Sequence, residues 1–122
     1  MATKFHLIRT ATREISSSSL TEIVAFTMAD DTTIQVIGNV VGQAQVTDCA
    51  GFIIRAVFKR RAGGAPTLVG TQDLTIWPKK DDNGFWAAEF VVTGNDITIS
   101  ASGEDDVAAD WYATMEIFGF TP

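Results

Sequence analysis

The run Gly51-Phe52-Ile53-Ile54-Arg55-Ala56-Val57-Phe58-Lys59-Arg60-Arg61 constrains the fold of this chain more than any other segment. Phe52, Ile54, Ala56 and Phe58 share one side, while Ile53, Arg55, Val57 and Lys59 share the other. That period of two belongs to a strand with one apolar face and one mixed face. The glycine turn Gly63-Gly64-Ala65-Pro66 closes the run, and residues 67–77 read as the return strand of a hairpin. An apolar strand face needs a second layer to cover it, so the run points to a β-sandwich.

The same pattern recurs along the chain. Residues 20–28 read as a strand that stops at the turn formers Ala29-Asp30-Asp31. Residues 32–47 alternate, with Ile34, Val36, Val40 and Val46 on one side and Gln35, Asn39, Gln43 and Gln45 on the other. Gly38 and Gly42 fall on the apolar side and predict a bend or a close approach by another backbone. Pro78 and Asp81-Asp82-Asn83-Gly84 make the next break. Residues 85–93 then turn Trp86, Ala88, Phe90 and Val92 one way, and the tight turn Thr93-Gly94-Asn95-Asp96 leads into residues 97–101. Residues 110–120 place Trp111, Ala113, Met115 and Ile117 on one face.

About eight short strands follow, with no apolar periodicity long enough for a confident helix. The expected class is all-β: an antiparallel β-sandwich, jelly-roll-like. The absence of a fixed internal period argues against a solenoid or propeller. Residues 1–19 contain Ser16-Ser17-Ser18-Ser19 and only Phe5, Leu7, Ile8 and Ile15 as large apolar anchors. They read as a partly extended N-terminal arm, with residues 20–122 as the sandwich domain. Deleting residues 1–15 is accordingly expected to leave the sandwich folded.

At 122 residues the chain fits one domain, and its apolar residues come in runs too short for a membrane span. Met1-Ala2-Thr3-Lys4-Phe5-His6 carries no apolar block of a secretory signal, so synthesis in a cytoplasm is expected. The net charge of −6 is divided unevenly. Residues 1–61 hold seven Lys/Arg against five Asp/Glu, and residues 62–122 hold two against ten. An acidic chain without a clustered basic face is a poor nucleic-acid binder. Lys59-Arg60-Arg61 is better read as a solvated strand end that discourages edge pairing. Cys49, the single cysteine, excludes an intrachain disulfide and a cysteine-clustered zinc site, and reads as a buried, inert thiol.

No pattern carries catalysis. His6 is the single histidine, it lies in the arm, and no serine sits in a Gly-x-Ser-x-Gly elbow. Glu89 and Glu116 are mid-strand carboxylates whose ordinary role would be cross-strand pairing with Arg55 or Lys59. Asp81-Asp82-Asn83-Gly84 and Glu104-Asp105-Asp106 lack the spaced ligand order of a calcium loop, so no metal and no cofactor is expected. Trp86 and Trp111 share faces with core residues and should fill the interior with a partner for each indole N–H. Trp77, at a strand end beside Pro78, is the best tryptophan for an exposed contact. The chain is therefore expected to bind rather than to catalyse.

Taken in order, several pieces of the chain resemble small β-rich virion proteins of tailed bacteriophages. They are Arg55 to Arg60, Gly63-Gly64, Leu68-Val69-Gly70, Val92 to Ile99 and Trp111 to Ile117. The resemblance covers roughly residues 20–118. It implies a capsid decoration (cement) or spike protein, with tail-fibre and tail-tip domains as relatives. The reading it favours is a cement protein on the capsid surface of the virion, a homotrimer bound to the major capsid protein, with no nucleic acid or membrane partner. The alternative is a tail-fibre or tail-tip domain recognising a host glycan or protein. Partner contacts are expected from the arm, through Lys4, Phe5, Arg9 and Arg13, and from Trp77.

Overall fold

A computed structural model describes residues 2–44, 48–75 and 86–122, with Leu74 and Thr75 as backbone. They form eight strands: β1 Thr3–Ile15, β2 Thr21–Thr27, β3 Thr32–Ala44, β4 Asp48–Arg60, β5 Thr67–Thr75, β6 Ala87–Thr93, β7 Asp96–Ser102 and β8 Ala109–Thr121. Two antiparallel sheets result, one of five strands in the order β1-β8-β3-β4-β5 and one of three in the order β2-β7-β6. The expected all-β sandwich is the fold. The chain crosses between sheets after β1, β2, β5 and β7, so the first and last strands pair side by side.

The core lies between the inner faces, and the predicted alternation fills it. Phe52, Ile54, Ala56 and Phe58 of β4 and Trp111, Ala113, Met115 and Ile117 of β8 are all buried. Trp111 organises the packing at one end: its ring stacks on Phe52 at 6.2 Å and meets Trp86, just before β6, at 5.3 Å. Phe58 and Phe90 make an edge-to-face contact between the sheets at 6.0 Å, a favourable aromatic geometry. Trp111 Nε1 is buried with no hydrogen-bond partner among the described residues, contrary to expectation. An uncompensated N–H of this kind costs about 1–3 kcal/mol, which the indole's burial must offset.

Gly38 and Gly42 are places of close approach, but side chains do the approaching. A Cβ on Gly42 would lie 2.8 Å from Cε3 of Trp111, and one on Gly38 would lie 2.7 Å from Cδ1 of Ile99. Glycine on β3 is thus what lets the Trp111 ring lie flat across the neighbouring strand. Val92 also departs from the reading, being exposed near the end of β6 while Ala88 and Phe90 are buried.

Residues 3–15 of the segment read as an arm form β1, paired with β8 from Thr3↔Thr121 to Ile15↔Ala109. Its small and polar residues suit an edge strand, where one side has no neighbour and only Ile15 is fully buried. The serine run is anchored as well: the Gly103 N–H donates to Ser17 O (2.9 Å), and the Asp106 N–H to Ser16 O (3.1 Å). Ser18 donates its N–H and its Oγ–H to Asp105 Oδ1, at 2.8 and 2.9 Å. These bonds hold the Asp105 carboxyl below its ordinary value of 3.8. Two segments that look like solvated loops in the sequence therefore clasp each other.

Arg60 is likewise not a solvated strand end, because β4 lies inside its sheet and Arg60 falls on the inward side of the alternation. Cys49 corrects the opposite way: it occupies an outward position of β4 and is exposed.

Candidate functional site

The outer face of the five-stranded sheet is the surface that the fold leaves uncovered by the second sheet. Register aligns its outward side chains into rows across the strands. The first row runs Lys4, Phe120, Thr33, Lys59 and Thr67, and the second His6, Phe118, Gln35, Val57 and Val69. The third is Ile8, Glu116, Ile37, Arg55 and Asp73. Beyond Thr10, Thr114, Asn39 and Ile53 in the fourth row, the fifth carries Thr12, Tyr112, Val41 and Gly51. The sixth ends the face with Glu14, Asp110, Gln43 and Cys49.

Large apolar groups stand exposed in this grid where a water-facing strand would ordinarily be polar. Phe120 is 55% exposed and Tyr112 47%, and Ile8, Val41 and Val69 are exposed too. A groove of about 760 Å³ runs across the first two rows, bounded by Lys4, His6, Thr33, Val57, Phe118 and Phe120. Two smaller depressions flank Tyr112 and Val41 in the fifth row. Apolar side chains thus cluster in the first two rows and again around Tyr112 and Val41, on either side of a polar middle, and exposed apolar clusters rimmed by polar groups commonly mark association surfaces.

The charges in the middle of the face are paired within the chain. His6 Nε2 and Glu116 Oε2 are 2.9 Å apart, and the His6 ring tilts against Phe118 at 6.3 Å. Arg55 Nη2 donates to Asp73 Oδ2 at 2.8 Å. The expected partnership of Glu116 with Arg55 or Lys59 is therefore replaced by one with His6, which the β1–β8 register brings alongside. Glu89 lies on β6, outward on the other sheet, so the two mid-strand carboxylates occupy opposite surfaces of the sandwich. Among the described residues no group of three His, Cys, Asp or Glu side chains converges on a metal position.

The sequence-derived contact residues do not form one cluster. Lys4 and Phe5 border the groove of the first rows, with Phe5 partly packed on the core. Arg9 is exposed although it falls on the inward side of the β1 alternation. Arg13 Nη1 donates to Glu22 O at 2.8 Å and ties β1 to β2. It stands nine residues from Lys4, about 30 Å along an extended strand. Trp77 lies outside the described residues, as does the loop 78–85.

No family model matches the chain, and no curated protein matches it in sequence. Among solved structures, the tailspike protein of Acinetobacter baumannii phage AM24 is similar. The two superpose with a TM-score of 0.55 at 11% identity, over 92% of this chain and 26% of that one. The chain therefore shares the fold of a part of that tailspike and spans about a quarter of its length.

The outward aromatics of β8 are what sequence reading passed over. Following the core face, Trp111 to Ile117, leaves Tyr112, Phe118 and Phe120 on the opposite face of the same strand. That second alternation was the available signal. A strand with large aromatics on both faces, even among polar residues such as Thr114 and Glu116, either lies between two layers or has a surface awaiting one.

Proposed function

We propose that this chain is a virion structural protein of a tailed bacteriophage that works in the tail, as a folded module docking onto another protein or a host surface. The carrying observation is the shared fold with a tailspike segment across nearly the whole chain. The exposed apolar face supports a binding role, since a β-sandwich can offer such a face without a catalytic cleft. The likeness lends the capsid cement reading no advantage over the tail reading. The chain's chemistry fits adhesion better than turnover: the ionisable pairs His6–Glu116, Arg55–Asp73 and Arg60–Asp30 each join neighbouring strands or turns.

Copy number in purified particles tests the proposal. Quantitative mass spectrometry against the major capsid protein should give a handful to a few tens of copies per particle. Hundreds of copies would overturn the tail assignment and return the chain to the capsid shell.

A further inference from the structure

The geometry points to a second copy of this chain as an occupant of the outer face of the five-stranded sheet, packed as an antiparallel two-fold dimer. The charges select this arrangement. Lys4 and Lys59 stand in the first row and Glu14 and Asp110 in the sixth, while in the middle rows Arg55 pairs with Asp73 and Glu116 is held by His6. The face is thus basic at one end and acidic at the other. A two-fold axis lying in the face, perpendicular to the strands, sets the first row of one copy over the sixth row of the other. Lys4 then lies over Glu14 of the second copy, and Asp110 comes within reach of Lys4 and Lys59. An axis parallel to the strands would oppose like with like, lysine row on lysine row. Such juxtaposition disfavours association.

Shape follows the same symmetry. Under the perpendicular axis each copy of β8 lies over its equivalent with direction reversed, so the fifth row meets the second. The half-exposed ring of Tyr112 then faces Phe118, where the groove of about 760 Å³ lies. The two-fold repeats the contact, giving two aromatic insertions on one self-complementary surface, as isologous interfaces require. Six rows spanning ten residue steps and five strands make a face of roughly 800 Å². That matches the roughly 800 Å² per partner of a stable interface of standard size.

Sedimentation velocity of the full chain tests this. The wild-type chain should be a dimer at low micromolar concentration and should dissociate as salt is raised. Lys4→Glu should weaken the dimer by roughly tenfold or more, and Lys4→Glu combined with Glu14→Lys should restore it, because both contacts are rebuilt with signs exchanged. Tyr112→Arg should give a monomer with an unchanged circular dichroism spectrum. A Tyr112→Arg chain that stays dimeric would overturn the proposal in favour of edge pairing through β1, which leaves Tyr112 untouched. A wild-type chain that is monomeric at about 100 µM, or trimeric, would overturn it as well.

Discussion

Arg60 and Asp30 meet at the closed end of two turns, with Nη2 of the arginine 3.2 Å from Oδ1 of the aspartate. The same guanidinium donates from Nε to Gly64 O at 2.8 Å and from Nη1 to Met28 O. The β2–β3 and β4–β5 turns are thereby joined by one planar group, and only 13% of the Arg60 side chain is exposed. A second bond, from the Ala62 N–H to Asp31 Oδ1 at 3.2 Å, runs alongside.

Arg60→Ala should lower stability by about 2–3 kcal/mol, since it strips charge-assisted bonds from two carbonyls, that of Met28 belonging to a buried residue. Arg60→Lys should recover less than half of the loss, because an ammonium cannot span three acceptors in the plane of a guanidinium. Urea unfolding measures both. A change below about 0.5 kcal/mol for the alanine variant would mean that the turns hold without the arginine.

Gly42→Ala and Gly38→Ala should differ although both glycines lie on β3. At Gly42 the new methyl meets the buried ring of Trp111, 2.8 Å from Cε3, within a cluster that cannot yield. Overpacking of this kind costs about 1–3 kcal/mol. At Gly38 it meets the terminal Cδ1 of Ile99, which can rotate aside. Thermal unfolding should place Gly42→Ala below Gly38→Ala, and the reverse order would refute the role given to the tryptophan.

The Asp105 clasp predicts a pH dependence. Its carboxyl is held below 3.8 by the backbone bond from Ser18 first and the hydroxyl bond second. A carboxyl depressed in the folded state stabilises the fold above its unfolded value, and that contribution vanishes as pH falls through the folded value. Asp105→Ala should therefore melt earlier than the parent at neutral pH, with the gap closing as the solution is acidified below 3.8. A calorimetric series from neutral to acid would show this. A gap that widens in acid contradicts the assignment.

Removing residues 1–15 should do more than remove an arm. The deletion uncovers β8 along all thirteen residue pairs from Thr3↔Thr121 to Ile15↔Ala109 and leaves Phe118 and Tyr112 on a bare edge. Unpaired apolar edges aggregate. Size-exclusion chromatography of the truncated chain should show aggregates or lost expression. A soluble monomer with native circular dichroism would show that β1 is dispensable.

The parts of this fold legible in the sequence are those where one residue in two faces the core. Phe52 to Phe58 and Trp111 to Ile117 announce their strands because the period is local and each inward position is large and apolar. β1 is harder to read because an edge strand buries little, so Phe5, Leu7 and Ile15 alternate among threonines and arginines. Arg60, Asp105 and the serine run mislead for another reason: their partners lie far away in sequence, and charge alone suggests solvent. The outer face stayed hidden because it is assembled by register across β1, β8, β3 and β4, which no single segment displays. Tyr112 comes to lie beside Val41, and Phe118 in one row with Gln35 and Val57, only through that register.

Particle fractionation is the most direct test of the proposed place of this chain in the phage tail. Heads and tails separated from disrupted virions on a gradient, probed with antiserum against the chain, should show it sedimenting with the tails. Recovery with the tail-free heads would contradict the account.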